Sequence, residues 1–149
     1  NCLSVGALLF VKSIRNWASA SRDQKCFGCV MKEQYEALDL EGALPLINEM
    51  MCFLCMASYA DFSIHHPSHD ELDDDEARLL SMMRATEERD RFAAMKHAEH
   101  FFRGPMTMTF LRITIAYSDL MALAGYSFLG TRPPLALVKD EMPSIGQGA

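Results

Sequence analysis

The chain reads as a single all-α domain of five or six helices. Its 149 residues suffice for one ordinary domain and not for two. Half of them are apolar and 23% charged, enough hydrocarbon for a core. Apolar side chains recur at three- and four-residue steps, while eight glycines and six prolines thin out through the middle, which disfavours a many-turned β architecture. The helical domain is expected over 1–130, with residues 131–149 an extended or disordered tail.

The first helix is expected over 5–18, with Leu8, Val11, Ile14 and Trp17 on one face. Ser21 and Gln24, three residues apart, match a capping box and predict that the second helix starts there. Its inner stripe is Cys26, Phe27, Val30, Met31, Tyr35 and Leu38. Pro45 suits the first turn of a third helix over 45–59. That helix is apolar almost all round and is therefore the expected centre of the bundle. Alternation around Asp61-Phe62-Ser63-Ile64 allows one short extended segment near Phe62, and a loop through His65, His66 and His69 follows. Asp73 and Glu76 form a second capping box, with Leu72 placed as a hydrophobic staple, and Ala77, Leu80 and Met83 face inward. A fifth helix is expected from Thr86 until Gly104-Pro105 stops it, and a last one over 109–129.

Fourteen basic residues against twenty acidic ones give a net charge of −6, so no nucleic-acid partner is expected. The apolar-rich stretch over 109–129 is interrupted by Arg112, Ser118 and Asp119, and reads as a buried helix, not a membrane span. Residues 3–11 are apolar and Ala18-Ser19-Ala20 resembles an export cleavage site. Lys12 and Arg15, however, follow the apolar run where a signal peptide carries its charge in front. Five cysteines, four of them in C-x-x-C pairs, do not suggest a secreted disulfide framework and favour a reducing, cytoplasmic compartment.

Chemistry concentrates at Cys26-Phe27-Gly28-Cys29 and Cys52-Phe53-Leu54-Cys55. Cys26, Cys29, Cys52 and Cys55 can surround one zinc ion tetrahedrally, and 22 residues between the pairs suits such a site. Both pairs also fit apolar helix stripes, where a free thiol packs as a small hydrophobe and no cofactor is needed, and this is the leading expectation. His65, His66 and His69 beside an aspartate-rich run form a second candidate metal set, although the same acids suit the positive start of a helix. Glu87, Glu88, Arg84 and Arg89 read as an exposed charged face. No phosphate loop, nucleophile elbow or dinucleotide fingerprint occurs. Eleven methionines suit an adaptable core or a partner groove.

Two resemblances follow. A C-x-x-C in a helical chain resembles the alkylhydroperoxidase-like family, which implies thiol redox chemistry. The histidine that family places four residues after its second cysteine is here Glu33 or Tyr59. The order Leu8-Leu9-Phe10-Val11, Leu44-Pro45-Leu46, then Leu72-Asp73-Asp74-Asp75-Glu76-Ala77-Arg78-Leu79-Leu80 resembles an uncharacterised family of short helical proteins of sphingomonad-type alphaproteobacteria. That resemblance implies organisation and no activity. The leading functional expectation is a non-enzymatic cytoplasmic module that binds a protein partner or itself, as a homodimer. A zinc module with four cysteine ligands and a thiol-redox enzyme are the alternatives.

Overall fold

The computed structural model describes residues 3–130, so the expected tail over 131–149 lies outside the described residues. It is an all-α domain: α1 (Val5–Arg22), α2 (Phe27–Ala37), a 3₁₀ turn (Glu41–Ala43), α3 (Leu44–Ala57), α4 (Asp74–Glu87), α5 (Arg91–Ala98) and α6 (Pro105–Leu123). No strand occurs among the described residues, and the chain around Phe62 is irregular. α3 stands at the centre as the sequence predicts, touching α1, α2, the 3₁₀ turn and α6, and it shares that place with α6, which touches α3, α4, α5 and the same turn. α3 buries Ile47, Met50, Met51 and Leu54, yet Met56 on its far side is 85% exposed.

Helix ends differ from the sequence expectation for one recurring reason. α1, α2 and α4 each finish with a non-glycine residue in the left-handed region: Gln24 (φ 56°), Asp39 (φ 60°) and Arg89 (φ 63°). In each case the next amide bonds back to the third-last helical carbonyl: Lys25 to Ala20 (2.8 Å), Leu40 to Tyr35 (2.8 Å) and Asp90 to Ala85 (2.9 Å). This is the Schellman arrangement, usually signalled by glycine. With glutamine, aspartate and arginine in the turning position the signal is silent. Ser21 therefore lies in the last turn of α1 and does not cap α2, and Thr86 lies inside α4, its hydroxyl donating to the Met82 carbonyl (2.9 Å). Gly104-Pro105 both separates and starts: Gly104 adopts φ 58°, ψ −137°, a glycine conformation, and Pro105 occupies the first turn of α6.

α6 ends at Leu123, and the chain folds back across the domain. Glu87 accepts hydrogen bonds from the Ser127 hydroxyl (2.6 Å) and the Phe128 amide (2.7 Å), and Arg84 Nε donates to the Phe128 carbonyl (2.9 Å). These contacts press Phe128 edge-on against Phe10, ring centres 6.0 Å apart. Gly6 admits this crossing: a β-carbon there would stand 2.4 Å from the Ser127 carbonyl oxygen.

The long connection from α3 to α4 is held by one buried ion pair. Arg15 Nε and Nη2 donate to the two Glu76 oxygens, each at 2.9 Å, while Nη1 and Nη2 reach the His69 and Glu71 carbonyls (2.6 and 2.7 Å). Glu76 also accepts from the His65 and Asp73 amides (2.9 and 3.1 Å), the latter being half of the capping box that the sequence predicts. Burial pushes the Glu76 carboxyl upward. Arg15 and the two backbone donors outweigh that and hold it below its ordinary 4.5.

A depressed carboxyl contributes stability in full above its ordinary value and loses it as pH falls through the depressed one. Glu76→Gln should lower unfolding free energy by about 3–5 kcal/mol at pH 7, because the buried Arg15 loses its counter-charge. Denaturant melts against pH should also show a shallower acid limb than the parent.

Candidate functional site

The left-handed turn at Gln24 redirects the chain so that Cys26, extended at φ −76° and ψ 111°, becomes the N-cap of α2. The first amides of a helix lack carbonyl partners. Here the Cys26 sulfur accepts from the Cys29 N–H (3.2 Å), in the role that serine or aspartate oxygen usually plays. Cys29, one turn on, points its thiol back at the same atom, Sγ to Sγ 2.6 Å, donating to Cys26. Both residues are exposed, and both are free thiols.

This contact makes the two sulfurs unlike. Cys26 is lowered from the ordinary 9.0, first by the Cys29 S–H donated to it and then by the backbone N–H groups of Cys29 and Gly28. Cys29 is raised, because its proton is held against the Cys26 sulfur and a thiolate beside it repels a second one. Lys32 opposes that rise slightly. The pair therefore has one more acidic thiol, Cys26, and one less acidic neighbour, close enough to join as a disulfide without large backbone movement.

A cleft of about 490 Å³ opens beside Cys26, between α2 and the start of α3. Phe27, Leu44 and Pro45 supply apolar lining, while Lys32, Glu36 and Asn48 supply polar groups. Tyr35 also borders it and is anchored from behind. Its hydroxyl bonds to Ser13 Oγ (2.7 Å) and to Tyr117 OH (2.8 Å), a buried chain that ends on the Leu9 carbonyl (2.7 Å). Burial pushes the Tyr35 phenol up to about 12, so it stays protonated and holds the inner wall.

The expectation that all four thiols are core packing does not hold. Cys26, Cys29 and Cys55 are exposed and Cys52 is half-buried. On α3 the buried face is taken by Ile47, Met50, Met51 and Leu54, and Cys52 and Cys55 fall beside it. Among the described residues, no group of three or more His, Cys, Asp or Glu side chains is arranged to hold a metal ion, so the two C-x-x-C pairs are not gathered around one centre. His65 and His69 stack with ring centres 3.7 Å apart, and each is tied to the Glu71 backbone. His66 Nδ1 is engaged with Ser68 (2.8 Å for Nδ1···Oγ). Their ring nitrogens shape the loop.

A polar cleft that sequence reading did not foresee gathers Ser63, Asp73, Asp75, His97 and His100. His100 Nε2 lies 3.4 Å from Asp75. His97 is lowered by burial and then by Arg78. This cleft braces the loop against α4 and α5. Comparison with protein-family models, curated proteins and solved structures finds no match for this chain.

Timed alkylation with iodoacetamide at pH 7, read by peptide mass spectrometry, should label Cys26 before Cys29, Cys52 or Cys55. In Cys29→Ala the Cys26 rate profile should move to higher pH, because the foremost cause of its lowering is gone. Equal rates at all four thiols would contradict the asymmetry.

Proposed function

We propose that this protein is a thiol–disulfide exchange module, with Cys26 as the nucleophile and Cys29 as the resolving thiol. The observation that carries this reading is the Cys26 sulfur at the start of α2, accepting from both the backbone N–H and the S–H of Cys29. Those donors favour the Cys26 thiolate directly, where the alkylhydroperoxidase-like motif uses a histidine.

In the first step the Cys26 thiolate attacks one sulfur of a substrate disulfide, forms a mixed disulfide and expels the other sulfur as a thiolate. Cys29 then gives up its proton and attacks the Cys26 sulfur, closing the Cys26–Cys29 disulfide and releasing the second substrate thiol. The substrate disulfide is reduced by two electrons and the protein dithiol is oxidised by two. Two equivalents of a small thiol reverse the change in the protein. A reducing cytoplasmic setting keeps such a pair as the dithiol. The cleft beside Cys26 offers the substrate an apolar seat with a nearby lysine and carboxylate.

A glutathione redox buffer titration with acid-quench alkylation should give an intramolecular Cys26–Cys29 disulfide in the parent. Cys29→Ser should instead accumulate Cys26 mixed with glutathione, and Cys26→Ser should do neither. A mixed disulfide on Cys52 or Cys55 with Cys26 untouched would sink the assignment.

A second reading, association with a protein partner or a second copy, is supported by the large apolar side chains left exposed among the described residues. Phe92 is 75% and Leu123 85% exposed, and Val30 lies open beside Cys29. Sedimentation velocity across a concentration series should then show a dimer that Leu123→Glu or Val30→Glu weakens. A monomer at every concentration removes the self-association form of this reading.

A further inference from the structure

Away from α2, the end of α4, α5 and the first half of α6 enclose a separate cleft of about 280 Å³. Its floor is apolar, with Met95, Met108 and Leu111, and its rim carries Arg89, Arg91 and Arg112. Among the described residues no carboxylate lines it, in a chain whose net charge is −6.

Several arginines elsewhere in the fold are tied down. Arg15 is bound to Glu76, Arg84 to the Phe128 carbonyl, and Arg103 lies over the Tyr59 ring at 4.1 Å. Among the described residues, Arg91 and Arg112 make no hydrogen bond or ion pair, and Arg89 has only Asp119, at 3.8 Å. Arg89 is also the left-handed turning residue between α4 and α5, so its backbone is set by the end of α4. Three guanidinium groups thus rim an apolar hollow, and two of them, Arg91 and Arg112, have no carboxylate partner among the described residues.

We infer that this cleft binds a small amphiphile with a carboxylate head and a short hydrocarbon tail. The carboxylate suits guanidinium donors, which bind it in a two-pronged fashion. The tail suits the methionine and leucine floor, because thioether side chains adapt to chains of different length. A hollow of about 280 Å³ suits a short-chain carboxylate of the size of octanoate. A bare inorganic anion would leave the floor unfilled, and a neutral alcohol would leave the guanidinium groups unpaired. The inference does not depend on the dithiol, which lies elsewhere.

The test is calorimetric titration of the full chain with sodium octanoate, octanol and sodium acetate at low ionic strength. Octanoate should bind at one site and more tightly than either control. Arg91→Gln and Arg112→Gln, both at exposed positions, should each weaken octanoate by about tenfold, the scale of one lost charge-assisted hydrogen bond, and leave octanol unchanged. Met108→Trp should fill the floor and abolish binding, with circular dichroism reporting that each variant is folded. Cys26→Ser should bind octanoate as the parent does. Octanoate no tighter than octanol, acetate as tight as octanoate, or affinity unmoved by both arginine changes would each overturn the inference.

Discussion

Arg15 sits in the middle of α1 with its guanidinium buried and four hydrogen bonds made: two to Glu76 and two to backbone carbonyls of the loop before α4. A buried charge without partners is prohibitively costly, so this geometry leaves the loop and α4 little freedom. Glu76 is bound in turn by the His65 and Asp73 amides, which makes one carboxylate serve as capping-box residue, counter-ion and loop anchor. The sixteen-residue stretch between α3 and α4 has no regular structure of its own. It is shaped by donors and acceptors converging on this pair, and the stacked His65 and His69 rings follow from that convergence.

The dithiol depends on a different constraint, at the end of α1. Because Gln24 turns left-handed and Lys25 bonds back to Ala20, α2 begins at Phe27 and not five residues earlier. That register alone makes Cys26 the cap. A sulfur in the interior of a helix faces its neighbours' side chains. A sulfur at the N-cap faces unpaired amides, which favour negative charge. The separation between Cys26 and Cys29 in acidity is thus a consequence of where one helix stops and the next starts. The matching pair on α3 has the same spacing but lies within the helix, with no unpaired amides before it.

Parts of the site were legible beforehand. The C-x-x-C spacing identified the cysteines, and the Asp73–Glu76 capping box located α4 to the residue. Of the predicted inner stripe of α2, Phe27, Met31, Tyr35 and Leu38 are buried, whereas Cys26 and Val30 are exposed. The position of Cys26 was not legible, because Ser21 and Gln24 offered a better-known cap signature than a cysteine does. A clue stood in the polar run Arg22-Asp23-Gln24-Lys25 before the apolar stripe, which suits a linker better than a first turn. The arginine rim was hidden for a simpler reason: Arg89, Arg91 and Arg112 are dispersed among ordinary exposed charges, and only the crossing of α5 on α6 brings them to one cleft.

Local order alone determined the all-α class, the approximate helix count and most of the inner faces of α2 and α4. Each follows from periodicity and capping over a few consecutive residues, interactions that a linear reading contains. Tertiary structure decided the exact ends of α1, α2 and α4, the fold-back of Phe128 over Gly6, and the exposure of the thiols. A non-glycine residue accepts left-handed strain only when packing on both sides compensates, and whether a thiol meets solvent depends on which other residues claim the buried face. Those outcomes rest on contacts between residues far apart along the chain.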